Sequence, residues 1–489
     1  MSEFSRNYRY VRLRWRILFS VVDFLGAAIF GLARRIASWR RHPTPGTSAG
    51  AEPTASADEP RSILIVQLDH LGDAIITTVM LPLLRERFPL ASIEVLAGAW
   101  NREVFEANPD VDRVHVSRVN RFARHGRIPG AWPLAMLWWG LRLRRRQFDL
   151  AIDVRGDFPV AMILWLCGAR RRVGWACGGG GFLLTDVAPY VPNRPEVESR
   201  LALLAAMGIR SPEGARPVFW PSEGARRRMR DDGGGEAAED GIVAFGIASP
   251  IPNPQSLIPP SSPAPGKPGR YTTRSTPAPS PLLLLHLGAG TPAKQWPAEH
   301  WQELLGRLVS QRSAEVVLVG SPADRIIAHR VLGDRLWPGV RDWTGQLTLD
   351  ELAALLEQAD VLVGADSGPA HLAAAVGTPV VVLFSGTNHP PQWQPRGEQV
   401  TVVRHPVQCS PCHRERCPLT DHPCMNLLRP QEVFAAVDAL LSAVEERGQV
   451  HVFGQRSLSE TTSTRRKMDP GTLRVPTDPI ELSRKGIWP

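Results

Sequence analysis

Short apolar runs, each closed by a loop of small and polar residues and followed by a helix-like stretch, occur in two separate series along this chain. In the first series, residues 63–66, 92–96, 111–116 and 149–154 read as strands. A helix follows the first of them through about residue 88, and an apolar helix lies near 158–167. In the second series, residues 282–285, 315–319, 361–364 and 379–384 read as strands. They alternate with helices that start at Pro297, cover 349–358 and 368–376, and run from Pro430 to about 446. Wholly apolar strands that alternate with helices belong in parallel sheets covered on both faces. Between the two series the pattern collapses from residue 222, and residues 249–281 are dominated by Pro and Ser. Such a composition holds neither period and reads as a linker or a disordered insert. The expected organisation is an α/β chain of two halves, 61–221 and 281–447, facing across a cleft. A linker or insert fills 222–280, and a tail without periodicity, expected to be disordered, fills 448–489.

Residues 1–60 precede the first domain as a segment of different character. Residues 17–33 are apolar except for Ser20 and Asp23, with Arg on both sides. The stretch is short for a membrane span and carries an acid near its middle. It reads as an amphipathic helix lying in a membrane interface with Arg beside anionic headgroups; a true span and a helix packed on the protein are the alternatives. A Pro-, Gly-, Ala- and Ser-rich linker follows at 44–60. The net charge of +9 points to an anionic partner. The basic residues sit in the anchor, the tail and one loop rather than along one periodic face, which argues against nucleic acid. Trp132, Trp138 and Trp139 with Arg142, Arg144, Arg145 and Arg146 form a helical stretch that either touches membrane or packs on the sheet. No small-residue cleavage site follows the first apolar run, so no cleavable secretion signal is expected and the cysteines are expected to be reduced.

Three loops carry chemistry. Leu71-Gly72-Asp73 follows the first strand, where Gly72 permits a tight turn and Asp73 sits at a helix start, as a helix cap or as a carboxylate presented to the cleft. In Gly288-Ala289-Gly290-Thr291-Pro292-Ala293-Lys294 the small residues let a ligand approach the backbone. Lys294 is conspicuous, because only four of the 57 basic residues are Lys. A compact ammonium suits a phosphate met as a point charge. In Asp366-Ser367-Gly368-Pro369-Ala370-His371 a strand ends and a helix opens, leaving unpaired backbone N–H groups that favour an anion. His371 on the first turn is within reach of the same phosphate. No Gly-x-Gly-x-x-Gly follows the first strand, which argues against a dinucleotide oxidoreductase.

These three loops in this order, with Trp296-Pro297, Gly377-Thr378-Pro379 and Trp393, resemble glycosyltransferase family 9, the ADP-heptose:lipopolysaccharide heptosyltransferases. The resemblance covers roughly residues 62–221 and 281–446. It implies a GT-B fold of two Rossmann-like domains and an inverting glycosyltransferase that needs no metal ion for catalysis. The donor is a nucleotide-sugar, ADP-heptose first among them, and the acceptor a lipopolysaccharide core or other lipid-linked glycan. It implies Asp73 as general base and Lys294, with the helix start at Ser367–Ala370, as the stabiliser of the leaving diphosphate. Asp366 is implied at the donor sugar or as an organiser of its pocket, and Asp324 at the ribose. Gly72, Arg118, Arg121 and Arg124 are implied at the anionic acceptor. The implied location is the cytoplasmic face of the inner membrane, held peripherally. A non-catalytic nucleotide-sugar-binding or assembly protein on the same fold is the alternative, and the joint presence of Asp73 and Lys294 argues against it. Cys409, Cys412, Cys417 and Cys424 form a separate cluster whose count suits a structural zinc, with His413 and His422 as competing ligands. Reduced loop cysteines and a redox role are the other readings.

Overall fold

The computed structural model describes residues 20–29, 59–119, 132–234 and 280–443. Both series of apolar runs become six-stranded sheets. The first contains β1 (Ser62–Gln67), β2 (Ser92–Gly98), β3 (Arg113–Ser117), β4 (Leu150–Asp153), β5 (Arg171–Gly174) and β6 (Asp186–Val187), in the order β3-β2-β1-β4-β5-β6. The second contains β7 (Leu282–His286), β8 (Glu315–Val319), β9 (Val340–Asp342), β10 (Val361–Ala365), β11 (Val380–Leu383) and β12 (Val400–Val403), in the order β12-β11-β10-β7-β8-β9. Every pairing is parallel. The central strands are the apolar ones, since both of their faces are covered: β1 buries Ile63 to Gln67 and β10 buries all five residues. Strands β5, β6, β9 and β12 were not legible as apolar runs or lie at the edges. β5 carries Arg171 and Arg172, and β9 and β12 are only half-buried.

In each sheet the chain builds outward from one central strand and then returns to its other side. The reversal falls between β1 and β4 in the first lobe and between β7 and β10 in the second. Loops that diverge at such a point leave a crevice beyond the carboxyl ends of the strands. The loops after β1, β7 and β10 are the three that carry the sequence motifs. One apolar cluster runs from the first lobe through Phe219, Ala225 and Met229 to Leu355 and Leu372 of the second.

Two segments differ from the sequence expectation. Helix Glu223–Gly234 lies inside the stretch read as linker and docks on helix Leu349–Leu356. It buries little more than Ala225 and Met229, so its apolar period is faint. Charged contacts hold it: Ser222 donates from its backbone N and Oγ to the Asp350 carboxylate at 2.8 and 2.6 Å. Arg226 pairs with Glu357 and Arg228 with Glu351, both at 2.8 Å. At the other end of the chain, the helix at 20–29 packs on the first lobe. Asp23 Oδ1 accepts from the Gly180 backbone N at 2.7 Å. A Cβ on Gly26 would come within 2.4 Å of the Phe182 ring. Asp23 is thus turned into the protein. Among the described residues no helix is long and apolar enough to cross a membrane. Most of the Pro/Ser stretch, the linker at 44–58 and the tail lie outside the described residues.

Ser222 also accepts from the Ala225 N at 3.1 Å, so it caps the helix it introduces. Ser222→Ala removes the cap and the hydroxyl contact to Asp350, leaving the backbone one, and should cost about 1–2 kcal/mol. A lower midpoint of chemical denaturation is expected, and an unchanged midpoint would show that the docked helix contributes nothing to stability.

Candidate active site between the two lobes

The loop after β1 is fixed from two sides. Trp100 Nε1 and Asn101 Nδ2 donate to the Asp69 carbonyl at 2.7 and 2.9 Å. The Asp69 carboxylate pairs with Arg155 from the loop after β4, and Arg155 pairs in turn with Asp157 at 2.6 Å. Asp153, at the end of β4, is fully buried beside them, and burial together with the Asp157 charge pushes its carboxyl up to about 8. Helix Leu71–Thr77 then starts with His70 at its N-cap. Asp73 is the third helical residue and is not the cap, so the capping reading does not hold. Its carboxylate is 12% exposed and lies 3.6 Å from Arg200 Nη2.

Arg200 is the main residue that sequence reasoning missed. It stands on helix Glu196–Ala206 with its side chain only 2% exposed. Its guanidinium donates to Glu196 Oε2 at 3.1 Å and to Thr77 Oγ1 at 3.3 Å, and lies 5.5 Å over the Trp175 ring. A buried charge survives only when its hydrogen bonds and counter-charges are supplied. The other oxygen of Glu196 accepts from Gln392 Nε2 of the second lobe at 3.0 Å. Gln392, Glu196, Arg200 and Asp73 therefore form a polar chain that crosses between the lobes. The signal in the sequence was the Glu196-x3-Arg200 pair on an amphipathic helical run.

In the second lobe Trp296 is 1% exposed and donates from Nε1 to the Leu428 carbonyl at 3.0 Å. This anchor fixes the turn that presents Lys294. Lys294 Nζ donates to Asp366 Oδ2 at 2.6 Å and to the Asp366 carbonyl at 3.0 Å. Asn388 Nδ2 donates to the same Asp366 oxygen at 2.6 Å. The ammonium is therefore oriented by Asp366, which itself is 5% exposed. Thr291 Oγ1, in the same turn, is buried and has no hydrogen-bond partner. Ala289 and Gly290 are half-buried on this turn. Gly288 lies against Asp324: a Cβ there would come within 2.4 Å of Oδ2. Asp324 Oδ2 also accepts from Ser321 N and Oγ at 2.7 and 2.6 Å, closing a capping box.

Helix Gly368–Val376 starts with Ser367 at its N-cap and no side-chain cap. Ser367 Oγ donates to the Ala365 carbonyl instead. Gly377, in the left-handed region at φ 94°, ends the helix, so this part of the motif shapes the backbone. The helix start meets the β1 loop directly. A Cβ on Gly72 would lie 3.2 Å from His371 Cδ2, and one on Gly368 would lie 2.8 Å from Leu71. His371 is buried between Asp73, Asp366 and Lys294. Burial holds its imidazolium below the ordinary range against the pull of the two carboxylates, and Lys294 acts in the same direction as burial. The structure thus brings Gly72, Asp73, Lys294, Asp366, Ser367, Gly368, Pro369 and His371 together.

Other expected residues stand apart. Arg118 is exposed just after β3, and Arg121 and Arg124 lie outside the described residues. Cys409, Cys412, Cys417 and Cys424 line one cavity of about 140 Å³ with His422. Among the described residues no three His, Cys, Asp or Glu side chains are placed to share a metal ion. The cysteine loop braces the site: Ala293 N donates to the Glu415 carbonyl, His422 Nε2 contacts the Ala293 carbonyl at 3.1 Å, and His413 N donates to the Thr387 carbonyl.

The profile of the family described as glycosyltransferase family 9 (heptosyltransferase) matches residues 137–422. Lipopolysaccharide heptosyltransferase 2 of Escherichia coli is 25% identical over 389 residues, covering 78% of this chain and 98% of that protein. Among solved structures, the Escherichia coli ADP-heptose heptosyltransferase II is similar with a TM-score of 0.58 and 23% identity, over 78% of this chain and 99% of that one. An Escherichia coli heptosyltransferase solved with ADP has a TM-score of 0.54 and 17% identity, over 78% and 99%. The two parallel six-stranded sheets and these likenesses establish the GT-B fold.

His286, at the carboxyl end of β7, is 7% exposed, and its Nδ1 has no hydrogen-bond partner. Burial pushes its imidazolium from near 6.5 down to about 4, with Asp324 opposing weakly. The unfolded chain then binds a proton that the folded chain refuses between these values. Stability is full above about pH 6.5 and falls by about 2–3 kcal/mol as pH drops toward 4. His286→Gln should flatten that part of the profile in urea titrations at about pH 7 and about pH 4.5. An equal acid loss in variant and parent would remove His286 as its source.

Proposed function

Because the chain belongs to glycosyltransferase family 9, we propose that it moves heptose from ADP-heptose to a lipid-linked acceptor of the lipopolysaccharide type. The observation that carries this reading is the part-exposed Asp73 carboxylate standing where the first lobe meets Lys294 and the helix start at Gly368. Asp73 takes the proton of an acceptor hydroxyl as that oxygen attacks the anomeric carbon. The bond from that carbon to the diphosphate breaks on the opposite face, so configuration inverts. Negative charge grows on the leaving ADP. Lys294, the backbone N–H of Gly368 at the helix start and Thr291 Oγ1 receive it. Arg200 is a positioning residue: it holds the Asp73 carboxylate in place without reaching the sugar. Asp366 and Asn388 hold Lys294, and Gly288 leaves room for the carboxylate of Asp324, which takes the ribose. His371, kept neutral by its burial, adds a hydrogen bond to the diphosphate rather than a charge.

The positive groups at the leaving group come from the protein itself, so no metal ion enters the reaction. The four cysteines stay reduced, and the loop that carries them braces the Lys294 turn through Glu415 and His422. Arg118, Arg121 and Arg124 meet the anionic acceptor. The enzyme works peripherally at the cytoplasmic face of the inner membrane, against anionic lipid.

Asp73→Asn should lower kcat by about 100-fold or more while leaving ADP affinity near its parent value, because a base acts only during the reaction. Near-normal turnover by a folded Asn variant would remove Asp73 from the chemistry. Lys294→Ala should weaken both ADP binding and turnover, read by calorimetry and by transfer of labelled heptose. EDTA should leave the rate unchanged. Loss of transfer that Mg²⁺ or Mn²⁺ restores would overturn the metal-free reaction, and loss restored only by Zn²⁺ would assign a structural ion to the cysteine loop.

A further inference from the structure

Helix Trp132–Leu143 buries Met136, Trp139, Gly140 and Leu143 in the first lobe. On its other side Leu134, Leu137, Trp138 and Leu141 are 68, 41, 52 and 51% exposed. Their spacing of i, i+3, i+4 and i+7 makes one continuous stripe, where a water-facing helix carries polar residues. The neighbouring helix Phe158–Leu166 packs closely at Gly140, where a Cβ would lie 2.5 Å from Leu166 Cβ, and it leaves Trp165 41% exposed. Phe158 lies beside Phe182 with ring centroids 6.5 Å apart, and Phe182 is the ring against which Gly26 of the 20–29 helix packs. That helix exposes Val21, Phe24, Leu25 and Ile29 by 51–74%, again at helical spacing. Three helices, linked at Gly140 and Leu166 and through the Phe158 and Phe182 rings, thus turn large apolar side chains outward, the 158–166 helix through Trp165.

The charge around these stripes has one sign. Residues 132–148 contain no Asp or Glu, and Arg142, Arg144 and Arg145 are exposed at the helix end. The Arg142 guanidinium lies 5.0 Å over the Trp138 ring. The single acid of the 20–29 helix, Asp23, is engaged with Gly180. Apolar side chains, an interfacial Trp and a purely cationic rim match the acyl boundary and headgroups of an anionic bilayer. We propose that these three helices form one face that docks on anionic lipid and lays the first lobe on the surface holding the acceptor. The last clause rests on the reading of a lipid-linked acceptor; the docking itself does not.

The test uses the full chain, flotation on vesicles of phosphatidylcholine with and without phosphatidylglycerol, and a water-soluble acceptor fragment. Leu137→Glu with Leu141→Glu, and separately Phe24→Glu with Ile29→Glu, should each lower vesicle partition by about tenfold or more on both lipids. Arg144→Gln with Arg145→Gln should remove only the salt-sensitive share on phosphatidylglycerol. All three should transfer heptose to the soluble fragment at the parent rate, which shows that they fold. Parent-like vesicle binding by both Glu variants would overturn the proposal. So would a parent protein that ignores vesicles but forms a dimer on gel filtration that the Glu variants break. Failure of every form, parent included, on the soluble fragment would sink the transferase reading, while the flotation result would still decide the docking face.

Discussion

The guanidinium of Arg200 is the charge around which the cleft is organised. It is held almost out of water, and a buried arginine without partners would cost several kcal/mol. Its partners come from two helices. Thr77 lies on the helix after β1, Glu196 one turn back on its own helix, and Asp73 at the edge of the cleft. Gln392 of the second lobe completes the set through Glu196. The need to satisfy one buried charge thus fixes the Asp73 carboxylate and ties it to the opposite lobe. Replacing any member leaves another buried polar group unpaired, which makes the arrangement all-or-none.

The second constraint is steric. The β1 loop and the start of helix Gly368–Val376 approach so closely that neither Gly72 nor Gly368 has room for a larger side chain without displacement. This contact brings Asp73 to the amino end of a nine-residue helix, whose dipole favours negative charge. Lys294 reaches the same place from the β7 turn and is kept there by Asp366 and Asn388. The site therefore pairs each functional charge with an opposite one. A diphosphate entering it exchanges protein contacts for its own, and the groups that receive it need little reorganisation.

The outer side of the first lobe follows different rules. Helices that elsewhere would show polar residues to water carry apolar stripes and arginines instead. The acid that seemed to interrupt the amino-terminal apolar helix is consumed by a backbone N–H of the lobe. That helix is thereby a part of the lobe's surface.

Local sequence determined the two α/β halves, the loops after β1, β7 and β10, and the residues Asp73, Lys294, Asp366 and His371. Each of these rests on a short-range signal: an apolar run for a buried strand, small residues for a turn, Ser-Gly-Pro for a helix start. Tertiary structure alone decided the rest. Nothing local to Arg200, Asn388 or Gln392 announces its role, and they matter because folding carries them to the carboxylates of Asp73, Asp366 and Glu196. Helix Glu223–Gly234 was hidden because ion pairs with another helix hold it, and such pairs leave no period in one strand of sequence. The outward stripes of the first lobe were readable as helical, but which face is buried depends on what packs beneath it, and periodicity by itself is blind to that.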